Sequence, residues 1–575
     1  MSMNVKTVAL GAGVFCISLA VLVQGLLPFM HPQSRTTQVT RVVRTDIGEL
    51  KWMAAEATDY TALEKHGRAI YIREGCWYCH SQFVRPVTGE TRRWGPVSQA
   101  GEYAFDVPHL FSTRRIGPDL TRVGLKYSDE WHLAHFWNPR MLEPDSIMPR
   151  YVGLFDAPDE RVPIATDEAG DKTLPENDIT RRFFDFAKKT SPADHLRITP
   201  NAEGLVFVPQ RGKYPVIFTP NKEFTGDSVQ LVVTTPELSA LIAYVQKLGM
   251  NRGNWRDLFE PQRIAASVAG MPNRSEEWIA EGRLLYQKRC SGCHGLKGDG
   301  NGPAATFMYK FRPRNFNQAV FKFREVKGTL ASDGDLMRTI TRGVRGTAMP
   351  SWHMLPEKDR LAIIQYIKFE LAVDRSSSPP YVFYTAEPPG APIFLGNPPK
   401  PSSDQVARGK DVWQQAKCWE CHGQTGKGDG EKAGTLKEDL GYSIRPADLT
   451  TGQFKSGTGV EDIFRTMTTG LSGTPMPSYE QSLPEADRWA LAYYVLSLSA
   501  FKDPLTGAPL PISETDRHAL NDPALQAPTS AKAYALKQPG STEPEGGSAW
   551  AARRGIEMMP SANPSAATTM PTPQN

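Results

Sequence analysis

The sequence predicts a mainly α-helical chain. One N-terminal transmembrane helix leads into three small helical domains of one plan, the first with a partly β insertion, and a disordered C-terminal tail closes the chain. Three observations carry this. Residues 8–30 form a 23-residue apolar run. The pentapeptide Cys-x-x-Cys-His occurs three times, at Cys76–His80, Cys290–His294 and Cys418–His422. Each copy follows a Gly-x-x-x-aromatic segment and precedes a helix that opens with proline. At 575 residues the chain is too long for a single core.

The apolar run is interrupted only by Ser18 and Gln24. As a helix it spans roughly 35 Å against a hydrocarbon core of about 30 Å. It ends in Leu-Pro-Phe-Met and lacks a small-x-small cleavage site, which suits an uncleaved anchor (residues 1–31) better than a signal peptide. Lys6 precedes the run and Arg35, Arg41 and Arg44 follow it. Local charge therefore points the C-terminal side inward.

The repeated pentapeptide is the attachment signature of c-type haem. Two thiols one turn apart reach two vinyl groups on one porphyrin edge, and the following His supplies a neutral imidazole to the iron. Random placement of 7 Cys and 11 His would give about 0.0016 copies. Zinc is the rival reading, but it wants paired Cys-x-x-Cys units with further ligands at set spacings. Six of the seven cysteines lie in these motifs, and Cys16 lies in the apolar run. No pair is left for a structural disulfide. Haem attachment of this kind takes place on the outer side of an energy-conserving membrane, which overrides the local charge and sets the haem domains in the periplasm of a bacterial inner-membrane, single-pass protein. The net charge of +4 and the absence of a basic patch interleaved with aromatics argue against nucleic acid.

The units divide as follows. Residues 32–60 read as a polar stalk. The first domain covers 61–255 and carries an insertion at 152–230 with β-rich patches at 204–209 and 214–219, whose task the sequence does not give. The second covers 274–374 and the third 404–501. Residues 375–403, rich in Pro and Ser, form a linker that is extended rather than floppy. Residues 502–575 hold 11 Pro and only two aromatics, Tyr534 and Trp550, and read as disordered. In each domain the lead-in pairs a Gly with an aromatic four residues on: Gly67 with Tyr71, Gly282 with Tyr286, Gly409 with Trp413. The two share a helix face. The glycine admits a crossing helix and the ring fills the crossing. The partner helices are expected at 236–248, 356–371 and 484–498. The second and third domains repeat each other, residues 335–352 (DLMRTITRGVRGTAMPSW) answering 462–479 (DIFRTMTTGLSGTPMPSY).

The sixth ligand to each iron separates carriers from enzymes. Each unit offers a Met-Pro pair, at Met148, Met349 and Met476, lying 68, 55 and 54 residues beyond its haem His. A thioether opposite histidine favours ferrous iron and raises the potential. The expected centres are therefore Cys76, Cys79, His80 and Met148; Cys290, Cys293, His294 and Met349; Cys418, Cys421, His422 and Met476, holding three covalent haems c. Met141 competes with Met148, and His353 and Met354 compete with Met349. His132 and His135, three apart on a helix, are either surface groups or a distal ligand. Arg312 and Arg445 are either propionate partners or solvated, and Pro118, Pro313 and Pro446 are candidates to pack on the proximal side. No Ser-His-Asp set, phosphate loop or paired-carboxylate site stands out, so no catalytic residue is assigned.

The stretch from about 60 to 153 resembles the mono-haem, membrane-anchored subunit II of cbb-type haem-copper cytochrome oxidases. The resemblance is carried by GRAIYIREGCWYCHSQFVRP (67–86), ETRRWGPVSQAGEYAFDVPHLF (90–111), RRIGPDLTRVGLKYSDEWHLAHFWNPR (114–140) and DSIMPRY (145–151). It implies that Cys76, Cys79, His80 and Met148 carry a haem that passes electrons to a multi-span haem-copper catalytic subunit. The second and third units resemble class I-type cytochrome c domains, and two in series resemble the di-haem subunit of the same oxidases. The chain then reads as an electron-transfer subunit, not catalytic on its own, fed by a soluble or membrane cytochrome c or a quinol-oxidising complex. Two alternatives stand beside it: electron input to a nitric oxide reductase or other terminal reductase, and a multi-haem peroxidase-like enzyme with one open iron.

Overall fold

The computed structural model of the chain describes residues 4–31, 36–87, 89–186, 196–209, 212–214, 216–218, 224–259 and 268–521. It is mainly helical. Helix α1 (Val5–Met30) is long and apolar enough to cross a membrane, and none of its residues is buried against the rest of the described chain. That fits an anchor and excludes a core helix.

Where a stalk was expected, the chain forms an antiparallel hairpin, β1 (Gln38–Arg44) and β2 (Leu50–Glu56), with Gln38 opposite Glu56 and Arg44 opposite Leu50. Composition hid it, because β1 mixes Arg and Thr among its valines. The structure buries nearly all of β1, polar residues included. The Asn254 amide donates to the Val42 carbonyl at 3.0 Å, and Arg44 Nη1 donates to the Gly48 carbonyl at 2.8 Å.

Three helix pairs carry the three repeated domains. In the first, α2 (Ala62–Arg73) is started by a Thr61–Glu64 capping box, and its partner α4 (Pro236–Lys247) by Thr235 with Pro236 at the first position. Between them in sequence lies α3 (Asp129–Trp137), capped by Ser128. The second domain pairs α5 (Glu276–Arg289) with α7 (Glu357–Tyr366) and places α6 (Asp333–Arg342) between them; the third pairs α8 (Ser403–Gln415) with α10 (Glu485–Ser497) around α9 (Val460–Thr469). Pro356 and Pro484 stand one residue outside their helices, at the cap.

The crossings are nearly identical. A Cβ on Gly67 would overlap the Ala240 carbonyl oxygen, one on Gly282 that of Ala362, and one on Gly409 that of Ala490. Backbone meets backbone at each, which only glycine permits. One turn on, Tyr71, Tyr286 and Trp413 are buried against Tyr244, Tyr366 and Tyr494, with ring centroids 5.4, 5.3 and 5.6 Å apart.

The insertion is built around β4 (Ser228–Thr234). This strand pairs in parallel with β3 (Leu205–Phe207) and antiparallel with Phe155–Asp156 and Val162–Pro163. Its task is partly visible: Phe207 packs on Phe307 of the second domain at 5.1 Å, and its amide donates to Thr306 Oγ1 at 3.2 Å. The linker lies along the second domain, where Tyr384 donates to the Ala331 carbonyl at 2.8 Å and the Ile393 amide to that of Glu325 at 2.7 Å. Of the tail, residues 502–521 are ordered and 522–575 lie outside the described residues. Phe501 and Leu510 bury Val43 of β1, and Lys51 donates to the carbonyl of Leu520 in α11 (Glu514–Asn521) at 2.8 Å. Arg345 of the second domain and Arg44 of the hairpin share the buried carboxylate of Asp257.

The crossing makes a direct prediction. Gly409→Ala destabilises the third domain by about 1–3 kcal/mol through overpacking against a rigid backbone. Lys410→Ala, on the exposed side of the same helix, stays within about 0.5 kcal/mol. Urea unfolding of the full chain, followed by haem absorbance, measures both.

Candidate haem centres

Each lead helix ends by folding its Cys-x-x-Cys-His segment into one tight turn. The His80 amide donates to the Cys76 carbonyl at 3.0 Å, His294 to Cys290 at 2.9 Å and His422 to Cys418 at 3.0 Å. The turn sets the two thiols of each motif on one side and carries the imidazole after them. All six sulfurs are unpaired with one another. Burial pushes the Cys76, Cys290 and Cys293 thiols up to about 12 and Cys418 to about 11, so they are neutral thiols at neutral pH.

The imidazoles are oriented from behind. His80 Nδ1 lies 2.8 Å from the Pro118 carbonyl and His294 Nδ1 lies 3.1 Å from that of Arg314. A carbonyl only accepts, so Nδ1 carries the hydrogen and Nε2 keeps its lone pair for a metal. His422 is turned toward the Ala447 carbonyl in the same way, short of full hydrogen-bond geometry. Burial lowers all three, His294 to about 4, which keeps the rings neutral. The prolines singled out in the sequence thus stand at or beside the carbonyl that aims each ring.

The Met-Pro segments share one local device. The amides of Met148, Met349 and Met476 each donate to a hydroxyl two residues earlier, Ser146 at 3.3 Å, Thr347 at 3.2 Å and Thr474 at 3.3 Å. Met349 and Met476 line a cavity together with their own Cys pairs and His rings. His353 and Met354 are not among its lining residues, and Met354 is exposed. Met148 packs partly buried on the first core, whereas its competitor Met141 is a buried member of that core.

The cavity, about 560 Å³, joins the second and third sites in one space. Its walls are largely apolar, with cations at one border. Arg312 lies over the Tyr442 ring at 4.7 Å, and its buried Nη1 has no hydrogen-bond partner in the structure. Lys455 lies 3.4 Å over Phe311, and burial lowers its ammonium to about 7. Lys322 pairs with Glu438 across the two domains at 3.0 Å. Arg445 also lines the cavity but is exposed. A buried guanidinium with an unused donor beside an apolar slot suits a flat apolar group carrying carboxylates. The paired thiols suit its two vinyl groups, and the aimed imidazoles and the thioethers suit its iron. The residues present therefore fit covalent haem c. Among the described residues no group of three or more His, Cys, Asp or Glu is placed to hold a metal ion, so the zinc alternative finds no ligand set there.

The first domain reaches this cavity. Gly292, inside the second motif, sits on the Met141 carbonyl so closely that a Cβ would overlap it. Arg289 and Lys288, just before that motif, pair with Glu143 and Asp145 of the Met148 loop. Tyr127, Trp131 and His135 line the cavity from the first domain. His132 and His135 are not surface groups. Both are lowered by burial, to about 4 and about 3, and each has an unpartnered ring nitrogen. Sequence reasoning missed Trp131, Lys322 and Lys455. They bear no motif, and their placement comes from the meeting of three domains.

Comparisons with known proteins follow the same divisions. Residues 49–251 match the family described as cytochrome C oxidase, mono-heme subunit/FixO. Residues 277–367 match cytochrome C oxidase, cbb3-type, subunit III, and residues 406–499 match cytochrome c. A cbb3-type cytochrome c oxidase subunit CcoP of Azospirillum brasilense is 24% identical over 224 residues, which cover 39% of this chain and 63% of that relative. The chain thus spans less than two thirds of its length. A solved chain of the reducing HAO-like protein complex of Kuenenia stuttgartiensis is 36% identical, covering 98% of that chain and 40% of this one, with a TM-score of 0.36. Residues 49–251 thus carry a domain similar to the mono-haem subunit of cytochrome c oxidases, followed by two domains of the cytochrome c kind, which implies covalently bound haem c.

Proposed function

We propose that this chain is a tri-haem, membrane-anchored electron-transfer subunit. It passes electrons from a periplasmic or membrane donor to the haem-copper catalytic subunit of an oxygen-reducing terminal oxidase. The observation that carries the reading is the continuity of the three centres. The second and third share one cavity, and the second motif rests on the Met141 carbonyl of the first domain. A wire needs that closeness; three independent reactors do not. The order of family matches along the chain supports the same reading, with the oxidase subunit domain next to the anchor and two cytochrome c domains beyond it.

In this reading Cys76 and Cys79, Cys290 and Cys293, and Cys418 and Cys421 hold three haems. His80, His294 and His422 would each supply an imidazole to an iron, and Met148, Met349 and Met476 would each supply a thioether. Haem c so ligated supplies a one-electron couple of raised potential. The protein keeps each imidazole neutral and aimed, shields the iron from water and sets carbon-rich walls between neighbours. Electrons enter at the carboxy-terminal domains and leave from the His80 domain. The helix Val5–Met30 holds the chain in the bacterial inner membrane with its haem domains in the periplasm.

Two measurements test this. Replacing Met349 or Met476 by Ala removes that centre's sulfur-to-ferric charge-transfer band, lowers its midpoint potential and opens it to carbon monoxide, whereas Met354→Ala changes none of these. Purification of the full chain from native membranes brings down a multi-span haem-copper protein, and the complex consumes oxygen. A complex without such a partner, or one that consumes nitric oxide and not oxygen, contradicts the assignment.

A further inference from the structure

Helix α3 carries a feature that its counterparts lack. Counted from their caps at Ser128, Ser332 and Gly459, the third and seventh residues are Trp131 and His135 in α3, Asp335 and Thr339 in α6, and Asp462 and Thr466 in α9. In α3 these positions join a column of flat rings. Tyr127 stacks on Trp131 with centroids 3.9 Å apart and planes at 13°, and Trp131 stacks on His135 at 4.5 Å and 21°. All three line the cavity shared by the second and third centres. The column also packs on the core of the first domain, the cluster that holds Cys76 of the first motif and against which Tyr127, Trp131 and Met148 lie.

We propose that the Tyr127–Trp131–His135 column is the electron bridge from the shared cavity to the His80 centre. Tunnelling rates fall steeply across gaps and far less through bonded or closely packed atoms, and stacked rings in van der Waals contact leave no gap to cross. One electron leaves an iron held at His294 or His422, which goes from ferrous to ferric. It arrives at the iron held by His80, which goes from ferric to ferrous. The rings are neither oxidised nor reduced, and no proton moves. Trp131 is a positioning residue here, acting through the centres on either side. The inference rests on the reading that each of the three motifs holds a haem.

The test uses the full-length, haem-loaded chain with a ruthenium photosensitiser tethered through Lys410→Cys, on the exposed face of α8. A flash injects one electron into the third domain. Rapid-freeze EPR follows loss of the ferric signal of the His80 centre, identified by its change in Met148→Ala. Trp131→Leu is expected to slow arrival by about tenfold or more, and Trp131→Phe by less than about threefold, with three haems and unchanged midpoint potentials in both. Tyr127→Leu, at the other end of the column, slows arrival too and decides the matter if a Trp131 variant fails to fold. An unchanged rate in Trp131→Leu overturns the bridge. So does a rate loss equal in Leu and Phe variants that tracks a shifted His80 midpoint, which would mark a purely structural role. Fewer than three haems in the unsubstituted chain overturns the tri-haem reading itself and the bridge with it, an outcome told apart by haem count alone.

Discussion

Backbone contact at the glycine crossings sets the rest of each haem domain. Where Gly67, Gly282 and Gly409 let the carbonyls of Ala240, Ala362 and Ala490 come into contact, two helices lock at one depth and one angle. The aromatic one turn later then has a single place to go, against the tyrosine of the partner helix. Because the attachment turn follows directly from the lead helix, that lock also fixes where the thiols and the imidazole stand. The site inherits its accuracy from a contact that contains no functional group.

Much of this was legible because it is local. The Cys-x-x-Cys-His turn, the Gly and aromatic four apart and the partner helices opening at proline are short-range patterns with short-range causes. The bond from the Met349 amide to Thr347 is equally local, although the structure and not the sequence supplied it. What stayed hidden was non-local. The strand Gln38–Arg44 reads as polar until Phe501 and Leu510 arrive from the far end of the chain to cover Val43. The same pairing explains why residues 502–521 are ordered despite their proline content. The linker looked like a spacer because its anchors, Tyr384 and Ile393, need the second domain to bind to.

The three centres differ in the company they keep. The second and third share a space bordered by Arg312, Lys322 and Lys455, where charges from two domains meet over aromatic faces. A buried cation there offsets the carboxylates expected of a haem and would otherwise cost several kcal/mol to bury. The first motif instead shares a core with Phe136 and Trp137 of α3, the helix on which burial keeps His132 and His135 neutral. The insertion, which the sequence left without a task, presses Phe207 onto Phe307 and so holds the second domain against the first. The ion pairs of Asp257 with Arg44 and Arg345 do the same from another side. Several independent contacts thus hold the domains against one another.

The account stands or falls on how many haems the chain carries. Intact-mass spectrometry of the mature protein, paired with a haemochrome assay per mole of chain, answers this directly. Three covalently attached haems, lost one at a time in Cys76→Ala, Cys290→Ala and Cys418→Ala combined with their motif partners, are the predicted result. One or two haems in the unsubstituted chain would contradict it.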